Sequence, residues 1–161
     1  MKKFLVFLLV AVVVYIACDY AKEGTSLRPD VKITYMNPIG WYTYVGDTTV
    51  VATIEEIHFV AENSVDCFLD RLVWEYYTEG GDVFFGPDEI SLYGQIEGLV
   101  DPASVDTFIL QNISLPLQPV RDNLGTGDAA RALLHFYIVD EYWGDRYDTV
   151  TVWFGIYMMP Q

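Results

Sequence analysis

Basic residues and histidines are in short supply in this chain. Nine Lys and Arg stand against 23 Asp and Glu, a formal charge of −14 at pH 7. A surface with that balance repels phosphate backbones and anionic lipid head groups alike, which excludes nucleic acid as a partner. The two histidines, His58 and His135, have no neighbouring cysteine or second histidine, so neither begins a metal-ligand spacing. There is no Gly-x-Ser-x-Gly, no phosphate-cradling glycine loop and no dinucleotide fingerprint. These absences leave a non-enzymatic chain with no cofactor as the reading.

What the chain does have begins at its first residues. Lys2 and Lys3 are followed by an unbroken apolar run, Phe4 to Ala17, and then by Cys18. Cationic start, apolar stretch and small residue are the layout of a secretory signal peptide. As a helix the run would reach roughly 21 Å, short of the roughly 30 Å hydrocarbon core of a bilayer, which argues against an uncleaved span. Residues 19–30 are charged or turn-forming and offer little to pack. They read as a tether with a typical end-to-end distance of about 20 Å and a ceiling near 40 Å.

Tyr15-Ile16-Ala17-Cys18 resembles the lipobox of bacterial lipoproteins. That resemblance implies that Cys18 is acylated and becomes the mature N-terminus, with residues 1–17 removed. It places the protein in the cell envelope, outside the cytoplasm and anchored to a membrane by lipid. One acyl chain anchors only marginally, so stable attachment needs two or more. Loss of Lys2 and Lys3 leaves 7 basic residues against 23 acidic ones, a charge of −16. With Cys18 lipidated, Cys67 is the one thiol left and no intramolecular disulfide can form. Asp66 and Asp70 flank it closely in sequence and would raise its pKa, so it reads as a small buried hydrophobe. The domain is then held by its core alone, and with 52% of the chain hydrophobic the material for one is present.

From Val31 onward short apolar alternations are broken by Gly, Pro, Asn and Asp, with no convincing helical period. Val31, Ile33 and Tyr35 share one face; so do Val50, Ala52 and Ile54, and Ile90, Leu92 and Ile96. Gly80-Gly81 between two aromatic runs predicts a two-residue hairpin turn. Ala132, Leu134, Phe136, Ile138 and Val150, Val152, Phe154, Ile156 predict two inward rows of a closing hairpin. Between Val105 and Leu117 the alternation slips, and a bulge near Gln111-Asn112 would reconcile its halves.

About seven strands with frequent turn signals predict an all-β antiparallel sandwich. Arg28 to Ile33, Gly46 to Ile54, Leu72 to Tyr77 and the pair Ala132 to Asp140 and Thr149 to Tyr157 resemble the strands of immunoglobulin-like domains common in bacterial envelope proteins. Trp74 would take the central tryptophan place, and the antibody-type disulfide is absent. The division is then 1–17 signal peptide, 18–30 lipidated cysteine and tether, 31–161 immunoglobulin-like domain. The resemblance implies a fold and a habit of binding or spacing, and no activity.

If those rows point inward, Leu133, His135, Tyr137, Thr151, Trp153 and Tyr157 point outward on the same sheet, joined by Val73 and Tyr77 when Trp74 faces the core. Tyr137, His135, Trp153, Tyr157 and Tyr77 are thus the candidate binding face, aromatic where a solvated strand usually carries charge. It could dock an envelope protein, or stack a glycan against its rings. A tethered structural or protein-interaction module is the leading expectation and a glycan-binding lipoprotein the alternative. Asp140, Glu141, Asp145 and Asp148 around the last turn are oxygen ligands of the kind Ca²⁺ takes. Their spacing lacks the alternation of a calcium loop and Arg146 lies among them, so a solvated acidic turn is the simpler expectation.

Overall fold

The computed structural model describes residues 27–160 apart from Val45, Pro102, Trp143 and Asp145. The leader, Cys18 and most of the tether lie outside the described residues. The described residues hold eight strands, β1 (Val31–Asn37), β2 (Gly40–Tyr44), β3 (Val51–Ala61), β4 (Cys67–Thr78), β5 (Val83–Ile96), β6 (Phe108–Pro116), β7 (Ala129–Asp140) and β8 (Tyr147–Met159), and one short helix, α1 (Gln118–Asn123), after β6. They form a three-stranded sheet, β1-β3-β6, and a five-stranded sheet, β2-β8-β7-β4-β5. The molecule is an all-β, two-sheet sandwich. No helix among the described residues is long and apolar enough to cross a membrane.

The core lies between the sheets because each long strand sends alternate apolar side chains inward. Phe59 of β3 meets Phe136 of β7 edge to face, ring centroids 5.1 Å apart, and both are fully buried. Each such residue contributes about 1.5–3 kcal/mol through burial. The closing hairpin follows its expected pattern: Ala132, Leu134, Phe136, Ile138, Phe154 and Ile156 are buried, and Val150 and Val152 pack against them. Trp74 is buried as well, although its indole N–H has no hydrogen-bond partner. Across the sheets, the buried Tyr76 of β4 donates its hydroxyl to the Pro116 carbonyl at the end of β6, 2.7 Å away.

Five local expectations are corrected. The strand count is eight because β2, a five-residue strand, was not foreseen. The chain leaves β1 at Asn37, crosses to the other sheet through Pro38-Ile39, and runs β2 parallel to the end of β8, Gly40 opposite Gly155. A Cβ on Gly40 would lie 3.0 Å from the Gly155 carbonyl oxygen, so this close approach needs glycine.

Tyr35 does not share the inward face of Val31, since a bulge between Ile33 and Tyr35 turns it outward to lie against His58. Val50 is exposed and precedes its strand. The β4–β5 connection closes on Thr78 and Asp82, whose backbone N–H and carbonyl are joined, so the loop has three residues with Gly81 at φ 92°.

The slip in β6 is real, yet it is not a bulge. Pairing passes from Ile54↔Ile113 to Glu56↔Gln111 without a change of register. Asn112 adopts φ 59°, and β3 changes parity at the same level, burying both Ile54 and Ile57. Two strands turning over together keep both apolar sets in the core.

α1 anchors the otherwise marginal β2. Thr43 of β2 is fully buried; its hydroxyl donates to Asp47 and accepts from Arg121 Nε at 3.1 Å. Arg121 also donates to the Thr49 carbonyl and lies 3.8 Å from the Asp47 carboxylate. Asp47 accepts the Thr49 backbone N–H at 2.9 Å, and this bond, aided by the Thr49 and Thr43 hydroxyls and the Arg121 charge, holds its carboxyl below the usual range against the opposing effect of burial.

Candidate functional site

The face to which the aromatic residues point is the outer side of the five-stranded sheet. Register fixes its rows: on β7 and β8, Leu133 lies opposite Trp153, His135 opposite Thr151 and Tyr137 opposite Thr149. On β4, Arg71 pairs with Tyr137, Val73 with His135, Glu75 with Leu133 and Tyr77 with Arg131. All five residues of the candidate face therefore occupy outward positions on three adjacent strands.

Their contacts are specific. Tyr77 meets Trp153 edge to face with centroids 5.4 Å apart. The Tyr77 hydroxyl donates to Glu75 at 2.6 Å, which raises its pKa. His135 Nδ1 lies 3.2 Å from the Thr151 hydroxyl. Tyr157 stacks on Tyr42 of β2, centroids 5.5 Å apart and planes at 29°, and its ring leans back over Gly155. Trp153 is 48%, Tyr157 46% and Tyr42 67% exposed.

The rings do not form one flat platform. Tyr42 and Tyr157 form one stacked pair and Tyr77 and Trp153 a separate edge-to-face pair, and the face of Tyr137 is occupied by the Arg71 guanidinium, 4.7 Å from the ring centroid. Beside that pair lies a depression of about 360 Å³ lined by Asp70, Arg71, Tyr137, Val139, Gly144 and Tyr147. Asp70 is there because β4 bulges between Leu69 and Arg71.

Three members of this surface were not foreseen from sequence: Tyr42, Arg71 and Arg131. Tyr42 sits on the unexpected strand. Arg131 shares the parity of Leu133 and Tyr137, a signal that the alternation contained. Arg71 likewise shares the parity of Val73 and Tyr77, with the bulge at Asp70 lying just before it.

The acidic turn is resolved differently. Asp140 is buried, with its carboxylate accepting the Tyr142 backbone N–H at 2.8 Å. Asp148 accepts the backbone N–H of Val31 on the opposite sheet at 3.2 Å and that of Thr149 at 2.7 Å. Glu141 accepts the Gln95 amide at 3.4 Å. Asp145 lies outside the described residues. Among the described residues no three His, Cys, Asp or Glu side chains gather as metal ligands. The expectation of a solvated turn is corrected for Asp140 and Asp148, whose carboxylates tie backbone segments together.

Cys67 is fully buried at the start of β4, its thiol directed at the Ile96 carbonyl. Burial, and then the charges of Asp66, Asp140 and Asp148, push it up to about 12. His58 hydrogen-bonds to Glu56 at 2.9 Å on the other sheet, far from His135 in the fold. Comparison of the chain with family models and with curated proteins gives no match.

Proposed function

We infer that this is a non-enzymatic interaction module of immunoglobulin-like fold, held at the cell envelope by a lipidated Cys18, that docks a protein on the outer face of its five-stranded sheet. The observation that carries the reading is the outward aromatic row Tyr42, Tyr157, Trp153 and Tyr77, which crosses four strands on a surface where solvated strands carry charge. Aromatic residues and arginine are enriched in the parts of protein interfaces that exclude water. Trp153 meets Tyr77 edge on and Arg71 covers Tyr137, and this favours a protein partner over a sugar, which would want exposed ring faces lying side by side.

The strand order supports the immunoglobulin-like reading. β1, β3 and β6 stand where the A, B and E strands of such a domain lie, and β8, β7, β4 and β5 where G, F, C and C′ lie. β2, parallel to β8, is then the continuation of a first strand shared between the sheets. The envelope location rests on Lys2, Lys3, the apolar run and Ala17-Cys18.

The test is a pull-down from a cell-envelope fraction with the full chain, beside a Trp153→Ala, Tyr157→Ala variant, with separate elution by soluble glycans. A protein retained by the parent and lost from the folded variant is the expected result. Equal retention by both overturns the face as the working surface, and release by glycans turns the reading to carbohydrate. For the anchor, Cys18→Ala should move the protein from the membrane to the soluble fraction.

A further inference from the structure

We propose that the segment docked on this face is an extended acidic peptide, held at its two ends by Arg71 and Arg131. The proposal rests on the protein-docking reading above and names the chemistry of its partner. It follows from how charge is distributed. The chain carries 23 acidic residues against 9 basic ones. Along the outward rows from Arg71 to Tyr77 on β4, from Ala129 to Val139 on β7 and from Tyr147 to Tyr157 on β8, the charged residues are Arg71, Arg131 and a single acid, Glu75. Glu75 is engaged by the Tyr77 hydroxyl. Acids that border these rows are Asp70, at the bulge, Glu89 on β5 opposite Val73, and Glu79 and Asp128 beside Ala129 at the end of the β7 row. The most acidic of surfaces thus gives way here to an aromatic strip with a cation at each end.

Neither arginine forms an ion pair among the described residues, in a protein with many carboxylates to offer. Arg71 is held in place by stacking on Tyr137, which leaves its fork of N–H groups open beside the 360 Å³ depression. A guanidinium so positioned matches a carboxylate through two parallel hydrogen bonds. Arg131 is exposed at the other end, beside Tyr77 and opposite Gly155, over which the Tyr157 ring leans. Tyr137, which pairs with Arg71, and Arg131 are six positions apart on β7, so the two forks are separated by about 20 Å along the strand direction. An extended peptide spans that distance in about six residues. Between the forks it would cross Leu133 and His135, flanked by Trp153 and Tyr77.

The experiment is a display selection of random peptides about twelve residues long, enough to cover both forks, on the full chain. Parallel selections use Arg71→Glu/Arg131→Glu, the milder Arg71→Gln/Arg131→Gln, and Trp153→Ala/Tyr157→Ala, each checked for its fold by circular dichroism. The expected peptides carry two acidic residues about six positions apart. They should bind the parent roughly tenfold or more tightly than either arginine variant. Peptides that need Trp153 and Tyr157 but carry no acids, and bind the arginine variants equally, overturn this inference while the docking face stands. Peptides indifferent to the aromatic pair overturn the docking face and the inference with it, as does the absence of enrichment on the parent. Binding of polygalacturonate that depends on both arginines, with no peptide enriched, overturns the peptide and assigns the face to an acidic polysaccharide.

Discussion

Tyr76 and Pro116 are joined across the sandwich, the phenolic hydroxyl of one strand 2.7 Å from the last carbonyl of a strand in the opposite sheet. The tyrosine is fully buried, and burial together with the Asp88 charge raises its pKa, so it remains a neutral donor. Tyr76→Phe keeps the ring and its contacts with Phe84 and Phe85 while removing the donor. The expected cost is about 1–2 kcal/mol, read as a lower urea midpoint at unchanged slope.

Acid should loosen the attachment of β2. Asp47 has a folded pKa below its ordinary 3.8. The stabilisation it contributes is therefore present above the unfolded value and lost as pH falls through the folded one. Asp47→Asn should be less stable than the parent near neutrality, and the gap should close as pH is lowered below about 4. Thermal melting over a pH series checks this; a gap that does not change with pH would contradict the assigned role.

Gly94 of β5 sits under the ring of Phe108, and a Cβ there would fall 2.1 Å from Phe108 Cζ. Gly94→Ala should cost about 1–3 kcal/mol by forcing that ring from its place against Phe59. Combined with Phe108→Leu, which leaves room, the same alanine should cost much less. The non-additivity of the double variant in chemical denaturation is the measurement.

The Cys67 thiol should resist alkylation in the folded protein at pH 8, because it is buried and its pKa is pushed up to about 12. Iodoacetamide labelling followed by mass spectrometry of the Cys67 peptide should give modification only at the rate of unfolding. Rapid labelling under native conditions would show the thiol is open.

Substitutions on the outer face should be mild for stability. Trp153→Ala loses an edge-to-face contact with Tyr77 and about half a ring of burial, so roughly 1–2 kcal/mol is expected. A much larger loss in denaturation would place Trp153 in the fold's support and not on a spare surface.

The closing hairpin was legible because its two strands alternate strictly and pair in one register from Ala129↔Tyr157 to Val139↔Tyr147. Four of the outward aromatic residues followed from that parity alone, and Tyr77 followed once Trp74 was placed inside. β2 was not legible: in Gly-Trp-Tyr-Thr-Tyr the buried position is Thr43, a polar residue. What makes its burial possible is Arg121, 78 positions away. The turn carboxylates misled for the same reason. Asp148 looks solvated in sequence, but its partner is the backbone of Val31, 117 positions earlier. Local pattern reports parity; it does not report which distant group will satisfy a polar side chain.

That bond has a further consequence. β2 lies alongside only the Gly155–Met159 end of β8, so among the described residues the Tyr147–Phe154 stretch has no ladder partner on that side. A bare strand edge invites zippering with a neighbour. Asp148 turns toward the gap between the sheets at this edge, and Asp30 and Lys32 stand with it along the cleft. An incoming strand would have to bury those charges. The carboxylate that pins the first strand thus also sets a desolvation cost against edge-to-edge pairing of neighbouring copies.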